Sequence, residues 1–530
     1  ETLANADDAP GTIWTKNLLT AKATDYYVMK GNEEGETFEP KYTFHGFRYM
    51  QVTGVDKAPS AEEVCALVLS SGLTQTGSFS CSNELLNKYY ENTIRSQQGN
   101  FLDSPTDCPQ RDERHGWAGD AQIFSLTASY HKDTYNFYRK YLEEMRLLQT
   151  DGGSFPDMAP RNFGADKDGR HGTGSNNCWG DAPVVITWNL YQQFGDIAIV
   201  EENYDALCKW VDVLAETSEE YIRFTNGYGD HLSLESTPAD LSDTAWCARS
   251  AQLVSKMATA LGKTEDAEYY ASVYEKYKKA WQDAYIIWET GAIECYSQTA
   301  FSLGLAFDLY PEELKESAAN CLITNLEAQN YQMKAGFSGI GYLLPALSEN
   351  GKIDAAYRLL LQEEAPSLLY QVKKGATTTW EQWTAYSENG DGTYILDGSL
   401  NHYAYGTPAS FLYTDVLGIK SDENHPGYKH FFLEPQATGA LSHASGSYDS
   451  IYGIISVSYA QTENGYEYHF EVPANTSATL SLPVLSENQT YLESGKEISG
   501  DDGVKFVGIV DNKAIYKLSS GSFSFTLSGS

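Results

Sequence analysis

Residues 103–120, Asp103-Ser-Pro-Thr-Asp-Cys-Pro-Gln-Arg-Asp-Glu-Arg-His-Gly-Trp-Ala-Gly-Asp120, interrupt a helical register that starts near Ser82 and resumes near Ala121. Pro105 and Pro109 break any continuous helix through the stretch, and Gly116 and Gly119 permit tight backbone turns, so it reads as a shaped loop between two helices. The loop gathers Asp103, Asp107, Asp112, Glu113 and Asp120 against Arg111 and Arg114, with Trp117 among them. Crowded carboxyls beside an aromatic plate separate into protonated and ionised members, the condition for dividing a proton donor from an acceptor. The competing reading is an N-terminal helix cap, since acids favour the positive end of the macrodipole.

Outward from this loop the period is helical. Leu85, Leu86, Tyr89, Tyr90 and Ile94 share one helix face behind Ser82 as N-cap, and Asp133 caps the run that carries Phe137, Tyr138, Tyr141 and Leu142. Further runs follow at 182–194, 200–216, 241–261, 265–285, 298–309, 312–328, 339–348, 352–363 and 402–417, with Gly195, Gly262 and Gly351 where C-terminal glycines belong. Helices of ordinary length with short connections suit an (α/α)6 toroid over 76–425, although periodicity does not by itself close a ring. Before it, 1–75 alternates in runs such as Asp25–Lys30 and Thr43–Thr53, as a β-sandwich segment would. After it, 426–530 returns to alternation, with turn signals at Glu463-Asn-Gly465 and Asp511-Asn-Lys513, as a C-terminal β-sandwich. The expected class is multidomain and mainly α, the toroid flanked by β.

With 72 acidic against 37 basic residues the 530-residue chain carries a formal charge of −35, which argues against nucleic-acid backbones and anionic membrane surfaces as partners. No stretch approaches the ~18 consecutive apolar residues of a membrane span. Eight cysteines lie far apart without CxxC or metal-ligand spacing and read as reduced, buried thiols, which favours a cytoplasmic home. A mature exported protein would begin in the same way. The 38 tyrosines and 10 tryptophans serve core packing first, and sugar faces where they line a cleft.

A second acidic centre lies at Gly375-Ala-Thr-Thr-Thr-Trp-Glu-Gln-Trp383, followed by Ser399-Leu-Asn-His-Tyr-Ala-Tyr-Gly406. The threonine run favours extended chain, so Glu381, bracketed by Trp380 and Trp383, leaves the regular helices at a loop or strand. Inverting glycoside hydrolysis needs one carboxylic acid for the leaving oxygen and a second carboxylate, ~6.5–9.5 Å away, for a water on the opposite face of the ring. Two acid centres lined with tryptophan meet that need. The plainer alternatives are a buried carboxylate bracing a loop for Glu381 and a satisfied core histidine for His402. Cys178-Trp-Gly-Asp181, Tyr228-Gly-Asp-His231 and Gln298-Thr299 are weaker constellations, since Gly-Asp before a helix is usually a cap.

The run Asp107–Asp120, with Gly375–Trp383 and Ser399–His402, closely resembles the bacterial α-L-rhamnosidases of glycoside hydrolase family 78. Phe44-His-Gly-Phe-Arg-Tyr49 is similar to the end of that family's β-sandwich before the barrel, and His425-Pro-Gly-Tyr-Lys-His430 with Ser447–Gly453 is similar to its C-terminal sandwich. The resemblance implies an (α/α)6 barrel and inverting release of terminal, non-reducing α-L-rhamnose from a rhamnose-containing glycoside, without cofactor or metal. It implies Glu113 as general acid, kept protonated by Trp117 and by repulsion from Asp107 or Asp120, and Glu381 as general base. It further implies that Asp107, Arg111 and Asp120 grip sugar hydroxyls, that Trp117 walls the pocket, and that Trp179, Asp181, Asp230, Trp380, Trp383 and His402 lie near it. The chain departs from the family pattern at His115, usually apolar, at His231, where tryptophan is common, and at Leu368-Leu369-Tyr370, which lacks a frequent tryptophan. The rival readings are another α/α-toroid hydrolase or phosphorylase acting on a different deoxy or neutral sugar, and a non-catalytic carbohydrate-binding relative.

Overall fold

The computed structural model describes residues 2–3, 13–161, 176–225, 227–388, 394–396, 398–463, 465–484, 490–498, 500 and 502–527. Its helices are α1 (Glu84–Asn100), α2 (Ala118–His131), α3 (Tyr135–Leu147), α4 (Ala182–Phe194), α5 (Ala198–Thr217), α6 (Ala239–Ala260), α7 (Thr264–Tyr285), α8 (Gln298–Ala306), α9 (Glu312–Ala328), α10 (Phe337–Glu349), α11 (Ile353–Leu360) and α12 (Leu368–Lys373). No described helix is long and apolar enough to cross a membrane.

Side-by-side packing closes the ring that periodicity left open. α2 lies against α4, α4 against α6, α6 against α8, α8 against α10, and α10 against the segment from Ala404, which returns to α2. The odd-numbered helices connect these inner ones and pack outside them, α7 on α6 and α9 on α8. Because one outer helix intervenes between successive inner helices, the inner helices run the same way and present their N-termini at one end of the toroid. α2, α4 and α8 are buried on nearly all faces, as an inner ring requires, whereas α3 and α7 bury one stripe, as an outer ring does.

Local signals shifted by a residue or two. Asn83 rather than Ser82 caps α1, its Oδ1 accepting from the Leu86 N–H at 3.0 Å. Thr134 rather than Asp133 precedes α3. The expected helix at 402–417 is irregular: Ala404–Ala409 is 3₁₀ and Leu412–Val416 is π. Pro408 within it has no N–H to give to an α ladder. α12 was not anticipated, being too short for its period to register.

The C-terminal strands form two sheets. One has the order Ile419–Ser421, His430–Leu433, Ser477–Pro483, Lys513–Leu518, Val504–Val510; the other Tyr491–Glu493, Gly521–Leu527, Gly465–Val472, Gly453–Thr462, His443–Ser450, Gly77–Cys81. The last pairing, with Cys81 opposite Ala444, ties the strand before α1 into the sandwich that follows the barrel. Asp511 (φ 49°) and Asn512 (φ 59°) adopt the left-handed turn that joins two of these strands. Of the other turn signal, Asn464 lies outside the described residues.

The runs 25–30 and 43–53 belong to no strand among the described residues, and Tyr26 and Val28 are exposed. Alternation supplies a face, but a ladder also needs a neighbouring edge, and these runs meet none. All eight cysteines are free; Cys81, Cys108, Cys178 and Cys247 are buried, but Cys65 is exposed in this N-terminal stretch and the others are half-buried.

Candidate active site

The loop between α1 and α2 is built by its own backbone. The Asp107 N–H donates to the His115 carbonyl at 2.9 Å, and the His115 N–H returns to Asp107 Oδ1 at 2.8 Å, closing the turn that carries Arg111 and Glu113. The left-handed positions are Asp103 (φ 67°) and Arg114 (φ 54°), not the glycines. Gly116 and Gly119 serve close approach instead: a Cβ would stand 2.0 Å from the Ala159 carbonyl oxygen at the first and 2.5 Å from the Trp179 ring at the second. The N-terminal segment braces the loop from outside. Thr20 hydrogen-bonds Asp112, and the Arg114 guanidinium donates to the Phe44 carbonyl at 3.1 Å while lying 5.0 Å over its ring.

The second acidic centre is brought alongside by the threonine run. Thr379 receives the His402 N–H on its carbonyl at 2.9 Å and donates its hydroxyl to the His402 carbonyl at 2.8 Å, while its own N–H reaches Ser96 of α1 at 2.8 Å. The Glu381 N–H donates to the Ser399 carbonyl at 2.9 Å, Ser399 donates its N–H to Glu381 Oε2, and Gln110 reaches Ser399 Oγ at 2.8 Å across 289 residues.

Arg111 joins the two centres. Its Nη1 donates to Glu381 Oε2 at 2.9 Å and its Nη2 to Glu381 Oε1 at 3.2 Å, while Nε donates to Glu113 Oε2 at 2.9 Å and Nη2 also contacts that oxygen. Trp117 Nε1 donates to Glu113 Oε1 at 2.9 Å. Sharing one nitrogen draws these two carboxylate oxygens closer together than the ~6.5–9.5 Å of an inverting pair, with the guanidinium filling the space between them. Behind them, on the first turn of α2, Asp120 Oδ1 meets His402 Nε2 at 2.7 Å, both residues buried.

The charges follow from this packing. Burial would raise the Glu381 carboxyl, but His402, Arg111 and the Ser399 N–H hold it down at about 2. Burial also opposes charge on His402, yet the Asp120 hydrogen bond and the Glu381 carboxylate push it up to about 9. Asp107, fully buried, is raised to about 8 by desolvation first and by Glu113 second. The proton held by crowding therefore sits on Asp107, while the Trp117 indole N–H and Arg111 both donate to Glu113. Asp107 Oδ2 and His402 Nδ1 are buried without a hydrogen-bond partner among the described residues.

Four expected sugar contacts have other work. Asp181 accepts from Trp210 Nε1 at 2.8 Å, Ser250 Oγ at 2.7 Å, the Cys178 N–H at 2.7 Å and Asn177 at 3.2 Å, so its lone pairs are occupied inside the barrel. Asp230 accepts from Thr299 Oγ1 at 2.6 Å and from the Gly336 and Ser338 N–H groups at 3.0 and 3.1 Å, which fastens the N-terminus of α10. Trp383 is sealed in the core, donating to the Ala335 carbonyl at 2.9 Å and lying 4.2 Å from the Tyr405 ring, and Trp380 is buried with Ala376 and Ala385. The Asp181 and Asp230 carboxylates and the Trp383 indole N–H are thus engaged by the protein itself and brace the site. Trp117 is half-buried and leads a line of rings: Tyr228 at 5.9 Å, Trp179 a further 4.4 Å on, His231 at 5.9 Å from that, then Phe337 at 5.2 Å and His402 at 6.1 Å. Phe337 carried no sequence signal, since an apolar ring opening a helix reads as core.

Among the described residues, two groups have ligand atoms within 4.8 Å of one another, as a metal would require: Asp107, Cys108 and Glu113, and Asp422, His425 and His430. In the first, burial raises both Asp107 and the Cys108 thiol. In the second, one Asp422 oxygen meets His425 Nδ1 at 2.7 Å and His430 Nδ1 at 2.8 Å, bracing the entry to the sandwich.

Residues 74–416 match the bacterial alpha-L-rhamnosidase 6 hairpin glycosidase domain, 418–497 the C-terminal domain of the same proteins and 1–70 their concanavalin-like domain. The chain belongs to the bacterial α-L-rhamnosidases. The α-L-rhamnosidase of Streptomyces avermitilis is 37% identical over 518 residues, 98% of this chain and 48% of that protein. One from Formosa agariphila is 36% identical over 499 residues, 92% of this chain and 52% of that protein. The crystal structure of the Streptomyces avermitilis α-L-rhamnosidase complexed with L-rhamnose superposes with a TM-score of 0.89 at 36% identity, covering 99% of this chain and 48% of that one. The native enzyme of Aspergillus terreus gives 0.82 at 36% identity over 89% and 56% of the two chains. The chain thus spans about half the length of the curated relatives it matches, and the family's barrel and flanking β regions are those described above.

Proposed function

We propose that the chain hydrolyses terminal, non-reducing α-L-rhamnosyl bonds with inversion, Glu113 protonating the leaving oxygen and Glu381 deprotonating the attacking water. The observation that carries this reading is the meeting of the two glutamates, from loops 270 residues apart as counted between Arg111 and Glu381, at a single guanidinium. Glu381, held at about 2, is ionised at neutrality as a base must be. Asp107 Oδ2 and His402 Nδ1 are the buried polar atoms that sugar hydroxyls would satisfy. Arg111 fills the space between the carboxylates and yields it to the sugar. As its bridge to Glu113 loosens, the proton kept on neighbouring Asp107 is within 4.8 Å of the acid that must donate it. The likeness to a relative whose crystal structure holds L-rhamnose favours this sugar over other deoxy or neutral hexoses.

An aryl α-L-rhamnoside, assayed beside a panel of other aryl glycosides, tests the substrate; release of another sugar at a higher rate overturns it. Proton NMR of the first-formed anomer tests the stereochemistry separately. β-L-Rhamnose formed first is expected, and α-L-rhamnose would place the carboxyls in a retaining pair.

A further inference from the structure

We propose that His231 is a specificity-determining residue whose imidazole exchanges a hydrogen bond with a hydroxyl of the sugar in the cleft. The inference rests on the glycosidase reading above and adds to it a contact that the acid, the base and their neighbours do not supply. The backbone at His231 is fixed: its carbonyl accepts the Phe337 N–H at 2.9 Å, and the preceding Asp230 is locked to Thr299, Gly336 and Ser338. Three aromatic rings lie crosswise to the imidazole, Phe337 at 5.2 Å, Trp179 at 5.9 Å and Tyr228 at 6.1 Å. No described residue hydrogen-bonds either nitrogen, and the residue is only half-buried.

The ring also lies within electrostatic reach of the site carboxylates. Burial lowers its affinity for a proton, His402 adds to that effect, and Asp120, Glu381 and Glu113 oppose it, so all four site groups act on His231. A neutral imidazole donates from one nitrogen and accepts at the other, which matches a hydroxyl in either sense. If packing were its only duty, a phenyl or indole would fill the place with more apolar contact and no polar atoms to desolvate. An imidazole held in the line of rings that leads from Trp117 to His402, with no described hydrogen bond to its nitrogens, is placed for a polar ligand.

The test compares wild type with His231→Phe and His231→Gln on aryl α-L-rhamnoside and its 2-, 3- and 4-deoxy analogues, with L-rhamnose binding measured by calorimetry. His231→Phe is expected to lose about tenfold or more in kcat/KM on the parent sugar, and His231→Gln to recover part of it. Removal of the contacted hydroxyl should cost the wild type a similar factor and His231→Phe little. Equal kcat/KM for wild type and His231→Phe, or the same loss for both on every deoxy sugar, would overturn the proposal while leaving the reaction in place. Failure of the wild type to turn over any rhamnoside, with L-rhamnose binding still weakened by His231→Phe, would remove the reaction and keep the contact. If the wild type binds no L-rhamnose either, both readings fall.

Discussion

His402 Nε2 and Asp120 Oδ1 stand 2.7 Å apart, 282 residues separated in sequence and both nearly sealed from water. His402 titrates at about 9 in the folded chain. An unfolded histidine titrates near ~6.5, so the folded state holds the extra proton. This contribution is present in full below pH ~6.5 and is lost as the pH rises through the folded value, amounting to about 3 kcal/mol. Asp107, also raised, adds to the slope below about 8. The difference between wild type and His402→Gln in urea unfolding from pH 6 to 10 isolates the histidine. The variant should show the shallower slope; parallel curves would sink the assignment.

Glu113 and Glu381 are expected to divide the reaction unequally when the leaving group changes. Each Gln variant should lose about 10²–10⁴-fold in kcat on an alkyl rhamnoside. On a nitrophenyl rhamnoside, whose leaving oxygen needs little protonation, Glu113→Gln should recover much of the loss while Glu381→Gln does not. If the two variants respond to the leaving group alike, the acid and base roles are misassigned.

Glu113 was legible in sequence because an acid cluster in a loop broken by prolines and glycines is an odd choice for a surface, and Glu381 because a carboxylate between two tryptophans is another; their separate roles came from the family resemblance. The helical character was legible for the same kind of reason, since ordinary amphipathic helices such as α3 and α7 print their period. What did not print was packing that uses polar groups. Asp181 and Asp230 look like site residues in sequence because a buried carboxylate and a sugar-binding one share the same letter; only the donors around them, Trp210 and Ser250 for one, Thr299 and Gly336 for the other, decide between the roles. Likewise the alternating runs of the N-terminal segment announce a face without announcing an edge to pair with. The barrel's closure through the irregular segment 404–416 depends on contacts no local pattern records.

Gly398 should prove as necessary to the base as its neighbours. Its φ of +74° is left-handed, and a Cβ there would come within 2.7 Å of Glu381 Oε2 and 3.2 Å of Gln382 Nε2. Gly398→Ala therefore costs about 1–2 kcal/mol in backbone strain and also displaces the base. The expected result is a fall in kcat of about tenfold or more, larger than the change in KM. An unchanged kcat would mean that Glu381 tolerates movement, which a general base aimed at one water does not.

Asp181 supplies the contrary case, a carboxylate whose loss should damage the fold before the chemistry. Its oxygens take the Trp210 indole N–H, the Ser250 hydroxyl, the Cys178 N–H and the Asn177 amide, at the N-terminal end of α4 and fully buried. Truncation to alanine strands these donors, each costing about 1–3 kcal/mol, so Asp181→Ala should unfold at markedly lower temperature or fail to accumulate. Asp181→Asn keeps the shape and one acceptor oxygen and should be destabilised less, with kcat and KM near wild type in the protein that remains folded. The measurement is a thermal melt paired with kinetics below the transition. A large kinetic defect in Asp181→Asn at unchanged melting temperature would return this residue to the sugar, because a brace acts on reactivity only through the structure it holds.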